Sequence, residues 1–315
     1  MPTHRDCEAA VKIYTLTLNP AFDVHAEADH FEPFHENLAR VKSRQAGGKG
    51  VNISRALTQN GIPNTAVVVL GRENAASFKE ELAAMGMEAE YLEKEGRIRE
   101  NLTLHTANFP ETRISFAGFP VSDALFEEVE ARLLVDADTV VTFTGRLGAG
   151  MSVEQAIAFL TRLKKKGARI VLDSKSFSLE DVLEIKPWLI KPNEEEVAEY
   201  LGFPIQSLDE AARGAAVFLE GGVENVMVSL GERGAILLCG RERFAATPPK
   251  ITPRSTIGAG DSTIAGFLAA KAAGKDPAGC LATAVAYGTA ACLTEGTLPP
   301  SREDVAAILG QVTLF

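Results

Sequence analysis

Ser255-Thr256-Ile257-Gly258-Ala259-Gly260-Asp261-Ser262-Thr263 runs straight into Ile264-Ala265-Gly266-Phe267-Leu268-Ala269-Ala270, so small residues lead into an apolar helix. Gly258 and Gly260 lack Cβ atoms. Their backbone N–H groups can therefore converge on an anion at the helix's first turn, where unpaired amides and the macrodipole both favour negative charge. Asp261 would stand beside that anion, kept ionised by the same helix start and placed to take a proton from an attacking hydroxyl. Phosphoryl transfer to an alcohol is the chemistry this suggests. Taken alone, the same residues read equally well as a turn with an Asp N-cap. Gly260-Asp261-Ser262 could also be a serine-hydrolase nucleophile block, but His4, His25, His30, His35 and His105 all precede it. The order with Asp and His after the Ser is thus impossible, and no Gly-x-Ser-x-Gly elbow occurs.

The chain has 315 residues, 46% of them apolar, enough for one large α/β domain or two ordinary ones. A net charge of −10, with no basic block longer than Lys164-Lys165-Lys166, argues against nucleic acid or an anionic membrane as partner. Any anion site must then be local. Cys7, Cys239, Cys280 and Cys292 have neither Cys-x-x-Cys pairing nor metal-ligand spacing, which fits free thiols in a reducing compartment. Residues 1–12 carry His4, Arg5, Asp6 and Glu8 and read as an N-terminal extension, not a signal peptide. The longest apolar stretch, Cys280 to Leu293, is interrupted by Thr283, Tyr287, Gly288 and Thr289 and falls short of the ~20 residues of a spanning helix. The expectation is a cytoplasmic protein built as one unit over residues 1–315, with an insertion.

Ile13 to Leu18 reads as a buried strand ended by Asn19-Pro20. Asp23 follows just beyond it, where open α/β sheets place their ligands; a turn or cap is the other reading of that residue. Val24 to Val41 alternates and looks like an antiparallel excursion with one polar face. Ala46-Gly47-Gly48-Lys49-Gly50-Val51-Asn52 opens a helix but is not a Walker loop, because Gly50 stands where Ser or Thr is needed. Lys49 and Asn52, three apart, offer a cation and an amide to one substrate. Strand, helix and strand over 64–70, 74–85 and 87–92 predict a parallel sheet. A hairpin over 96–116 then interrupts the rhythm and pairs most simply with the 24–41 excursion, the two forming a small β lid from about 22–45 and 95–118. It carries Arg99 and Arg113, which suit a phosphate, although exposed strand arginines are commonly only solvated. The βα rhythm returns past Asp123. Asn193 and Glu196 suit a water-mediated Mg²⁺ site, but the spacing alone favours a capping box. Val226 to Leu238 reads as strand, glycine turn, strand, a candidate nucleotide loop.

Five segments taken together are specific. Thr17-Leu18-Asn19-Pro20-Ala21-Phe22-Asp23, the Ala46–Asn52 stretch, Lys191-Pro192-Asn193-Glu194-Glu195-Glu196, Ser229-Leu230-Gly231-Glu232-Arg233-Gly234 and Ile257-Gly258-Ala259-Gly260-Asp261 closely resemble the PfkB-type, ribokinase-like carbohydrate kinases. Within that family the chain is most similar to the phosphosugar branch of 1-phosphofructokinase, tagatose-6-phosphate kinase and the minor 6-phosphofructokinase. The resemblance implies a three-layer α/β/α fold with a mostly parallel sheet, ATP as co-substrate, Mg²⁺, and a homodimer formed through the lid. It makes Asp261 the base and Gly258, Ala259 and Gly260 the anion hole. Asp23, Gly48 and Asn52 become sugar contacts, while Lys49, Arg99 and Arg113 would hold the substrate's phosphate. Lys191, Asn193, Ser229, Gly231 and Gly234 fall to ATP, and Asn193 and Glu196 to the metal through water.

One departure stands out. The family's usual Ser-Gly-Ser-Leu-Pro is here Thr144-Gly145-Arg146-Leu147-Gly148, which puts sugar choice in question and makes Arg146 a candidate phosphate contact. The leading reading is an ATP-dependent kinase of fructose 1-phosphate, with fructose 6-phosphate and tagatose 6-phosphate as alternatives. A kinase of a free sugar or nucleoside would leave the cluster of cations without a partner, and a catalytically silent sugar-binding regulator has no evident use for Asp261.

Overall fold

The computed structural model describes residues 11–109 and 111–315. The expected N-terminal extension, apart from residues 11 and 12, lies outside them together with Cys7. In chain order come β1 (Lys12–Thr17), β2 (Ala21–Ala28), β3 (Arg40–Gly47), α1 (Lys49–Gln59), β4 (Thr65–Gly71), α2 (Ala75–Ala84) and β5 (Ala89–Lys94). Then follow β6 (Arg99–Thr106), β7 (Thr112–Ile114), α3 (Ala124–Glu130), β8 (Thr139–Thr144), α4 (Val153–Lys165), β9 (Arg169–Asp173), α5 (Leu179–Ile185), β10 (Leu189–Ile190) and α6 (Glu194–Leu201). The last stretch holds α7 (Leu208–Glu220), β11 (Asn225–Ser229), β12 (Ala235–Cys239), β13 (Glu242–Thr247), α8 (Ala259–Ala272), α9 (Pro277–Ala291), α10 (Arg302–Leu309) and β14 (Thr313–Leu314).

Ten strands make one sheet in the order β14-β13-β12-β11-β10-β9-β8-β1-β4-β5. Pairing is parallel from β5 through β11 and antiparallel from β11 to β14. Strands buried on both faces read as continuous apolar runs, and alternate side chains feed opposite layers. On β1, Leu16 enters a core packed by Phe78 of α2, Phe126 of α3, Phe159 of α4 and Phe218 of α7. Ile13 on the same strand faces the other layer, with Ile53 and Leu57 of α1, Phe267 of α8 and Leu281 of α9. The result is the expected three-layer α/β/α fold. Among the described residues no helix is long and apolar enough to cross a membrane.

The second sheet has the order β3-β2-β6-β7. The excursion and the hairpin pair as expected: β2 and β3 are antiparallel, as are β6 and β7, and the two join through β2 and β6, which run parallel with Asp23 opposite Asn101. The chain passes through β3, α1, β4, α2 and β5 between them, a connection long enough to permit the parallel pairing that a tight hairpin cannot make.

Parallel strands end on one edge, so everything just past them meets there. Asn19 follows β1, Gly145 and Arg146 follow β8, Asp173 closes β9, and Lys191 follows β10. α1 reaches the same edge because Gly50 lets it lie almost on β1: a Cβ there would come 2.3 Å from the Leu16 carbonyl oxygen. Lys49 and Asn52 are carried with it.

Candidate active site

A cleft of about 700 Å³ lies between this edge and the small sheet. α8 enters it with Gly258 as N-cap at φ 79, a left-handed conformation that favours glycine. Gly258, Gly260 and Asp261 border the cleft, while Ala259 does not; its N–H leans toward the Thr256 carbonyl at 3.4 Å. Of the three residues expected to supply an anion hole, Gly258 and Gly260 thus border the cleft.

Asp261, in the first turn of α8, is 6% exposed. Asn52 Nδ2 donates to Asp261 Oδ2 at 2.9 Å, which joins α1 to α8. Burial pushes the Asp261 carboxyl up to about 6; Lys49 and Asn52 hold it back, and Asp173 adds to the rise. The helix start was expected to keep this acid ionised near neutral pH, and with its pKa at about 6 it is still mostly so. Desolvation sets the direction of the shift, and a carboxylate poised near neutrality is a better base than one at its ordinary value.

A second Asn–Asp pair stands on the small sheet. Asn101 Nδ2 of β6 donates to Asp23 Oδ1 of β2 at 3.1 Å, and Arg113 Nη2 lies 3.4 Å from the same oxygen. Both Asn52 Oδ1 and Asn101 Oδ1 are buried without a hydrogen-bond partner, as are the hydroxyls of Thr17 and Thr144 beside them on the cleft. Buried polar atoms are normally paired, so these are exceptions among the described residues, and the Thr15 and Thr142 hydroxyls, away from the cleft, share the condition. Asn101 was not singled out from the sequence; its register opposite Asp23 reveals it.

Asp173 was missed as well. Fully buried at the end of β9, it accepts from Lys49 Nζ at 2.8 Å and lies 3.9 Å from Lys191 Nζ. Burial works against its charge, yet Lys191 and Lys49 hold its carboxyl below the ordinary aspartate value. Burial likewise works against the Lys49 ammonium, but Asp173 and Asp261 keep its pKa above the usual lysine range. Lys49 thus stays charged beside Asp261. The Lys191 ammonium also sits at the start of α8, 3.3 Å from where a Cβ on Gly260 would be.

The three expected cations all border the cleft but come from different elements with different partners. Lys49 belongs to Asp173, whereas Arg99 and Arg113 lie on the small sheet. Arg99 is a brace as much as a contact: it donates to the carbonyls of Phe116 at 2.9 Å, Asn19 at 3.3 Å and Pro20 at 3.4 Å. Burial lowers its pKa, with Asp23 opposing and Arg113 reinforcing the shift. Arg146 is exposed on the cleft and has no ion-pair or hydrogen-bond partner among the described residues.

Asn193 and Glu196 border the cleft and form a capping box on α6: Glu196 N–H donates to Asn193 Oδ1 at 2.7 Å, and Asn193 N–H to Glu196 Oε2 at 3.0 Å. Glu196 Oε1 lies 3.4 Å from Lys175 Nζ. Among the described residues no three His, Cys, Asp or Glu side chains are grouped to hold a metal. With half its carboxylate committed to the cap, this pair fits Mg²⁺ held through water and ligand oxygens, not an ion caged by protein. Ser229 N–H donates to the Pro192 carbonyl at 3.0 Å, beside Asn193. Gly231 and Gly234 do not line the cleft, and Gly234 has a packing explanation, since a Cβ there would come 1.9 Å from the Ala246 carbonyl oxygen.

The chain is 32% identical to 1-phosphofructokinase of Vibrio cholerae over 259 residues, 81% of each chain. It is 32% identical to that of Rhodobacter capsulatus over 308 residues, 96% of this chain and 98% of the relative. Phosphofructokinase-2 from Escherichia coli, solved in complex with substrates and products, superposes with a TM-score of 0.89 at 27% identity, covering 95% of this chain and 99% of that one. Residues 22–304 match the pfkB family carbohydrate kinases, and the chain belongs to that family.

Proposed function

We propose that the protein is an ATP-dependent 1-phosphofructokinase, converting fructose 1-phosphate to fructose 1,6-bisphosphate. One observation carries this: a buried carboxylate, raised to about 6, stands at a helix N-terminus inside a cleft holding more cations than the protein itself neutralises. Asp261 takes the proton of the sugar hydroxyl as that oxygen forms its bond to the γ-phosphorus of ATP and the bond to the ADP oxygen breaks. The amides of Gly258 and Gly260, with Lys191 and Lys49, face the charge on the migrating group. Asp23 and Asn101 hold sugar hydroxyls, Arg113 and Arg146 the phosphate already present. Asn193 and Glu196 would hold Mg²⁺ through water, and the ion when bound neutralises phosphate charge. Positioning carries much of the rate in such a transfer. Fructose 6-phosphate is the second substrate reading, favoured by the likeness to phosphofructokinase-2. The cytoplasm is the proposed location, in keeping with free Cys239, Cys280 and Cys292 and with the use of ATP.

The small sheet and its loops expose Phe34, Leu38, Val41, Ile114 and Phe116. Clustered exposed apolar side chains mark interaction surfaces, and we propose that two copies pair through this sheet. Light scattering on eluted protein should show a dimer, reduced to a monomer by Leu38→Glu with Val41→Glu; a monomeric wild type would end the proposal.

Asp261→Asn should lower kcat by about 10²-fold or more while leaving a folded protein. Because the base acts only when deprotonated and its pKa is raised, wild-type kcat/KM should rise with pH through about 6 and level off above it. The residual activity of Asp261→Asn should lack that limb; a full rate in this variant would refute the base assignment. Arg146→Ser should raise KM for the phosphosugar by roughly tenfold, the scale of one charged hydrogen bond, and leave KM for ATP in place. An unchanged phosphosugar KM would remove Arg146 from the site.

A further inference from the structure

Arg55, on α1, is 2% exposed and makes no ion pair among the described residues. Burial lowers its pKa, opposed by the fields of Glu81 and Asp23. A buried guanidinium without a carboxylate partner is an expensive way to fill a core, so what it binds matters. Its Nη2 donates to the Ala46 carbonyl and its Nη1 to the Thr297 carbonyl at 3.5 Å, while Nε has no partner. Ala46 belongs to the small sheet and Thr297 to the segment beside the start of α8, and the two stretches also meet through Thr297 Oγ1, 3.4 Å from Gln45 Oε1.

Ala46 lies on β3, an edge strand of the small sheet, just before the Gly47-Gly48-Lys49 loop. Its N–H donates to Glu81 Oε2 of α2, so the peptide before Ala46 is held by an anion and the peptide after it by the Arg55 cation. The next residue has no room to drift: a Cβ on Gly47 would come 2.5 Å from Asp23 Oδ2. Thr297 is buried, borders the cleft and lies against the N-cap of α8, its Cα 3.7 Å from where a Cβ on Gly258 would be.

We infer that Arg55 is a positioning residue that sets the spacing between the sugar-holding loop at Ala46–Lys49 and the phosphoryl-accepting start of α8, acting through the carbonyls of Ala46 and Thr297. The inference rests on the kinase reading for its effect on turnover. Lysine can reach one of the two carbonyls with a single ammonium but cannot span both, which makes Arg55→Lys the informative variant.

With melting temperature within a few degrees of wild type, Arg55→Lys should lose about tenfold or more in kcat and raise KM for the sugar, with KM for ATP held within about twofold. Hydrogen exchange at the amides of residues 46–49 should quicken in the same protein without ligand. Glu81→Gln, which loosens the peptide before Ala46 and does not border the cleft, should move sugar KM and exchange in the same direction. Sugar and ATP constants that decline together in step with melting temperature would overturn the inference, as would unchanged kinetics and exchange in both variants. If wild type phosphorylates no ketose phosphate, the kinase reading fails separately. Exchange at 46–49 then still decides whether Arg55 holds the loop, supporting the inference if it quickens and overturning it if it does not.

Discussion

The structure depends on keeping one carboxylate out of water while surrounding it with charge of both signs. Asp261 is buried at the start of α8, and desolvation alone would leave it protonated through much of the neutral range. Lys49 and the amide of Asn52 restrain that rise, and Asp173 in turn keeps Lys49 charged by accepting its hydrogen bond, with Lys191 3.9 Å away on its other oxygen. Removing any one of these groups would shift the protonation of the others. The base, its restraining cation and the anion that anchors the cation work as one electrostatic unit.

The fold supplies this unit from four separate places on one sheet edge. β9 ends in Asp173, Lys191 follows β10, α8 begins with Gly258, and α1 brings Lys49 and Asn52. α1 is the shared part, since it packs on β1 at Gly50, touches Asp261 through Asn52 and holds the Ala46 and Thr297 carbonyls through Arg55. The small sheet closes the opposite side with a matching Asn–Asp pair, Asn101 and Asp23.

Local patterns made most of the architecture legible. Apolar runs such as Ala66-Val67-Val68-Val69-Leu70 announce a buried parallel strand without any tertiary information. The elements that escaped notice were those with weak local signals: α5 has seven residues, β14 has two, β13 mixes Glu242 and Arg243 with small residues, and α7 is interrupted by Gly214, which is needed because a Cβ there would meet Val197 at 2.5 Å. Asp261, Asn52 and Asp23 could be named because each sits beside a glycine motif or a strand end. Asp173 obeys the same strand-end rule as Asp23 but lacks a neighbouring turn signal. Asn101 and Arg55 owe their places to partners 78 and 242 residues away, and no spacing rule reaches that far. The different partners of Lys49, Arg99 and Arg113 are likewise a property of the assembled cleft.

The most direct test of the central claim is a crystal structure with ADP, aluminium fluoride as a phosphoryl mimic, and fructose 1-phosphate. The account requires the mimic to lie on the amides of Gly258 and Gly260, with a sugar hydroxyl about 2.6–3.2 Å from the Asp261 carboxylate. A mimic seated away from α8, or a sugar hydroxyl facing some other base, would contradict it.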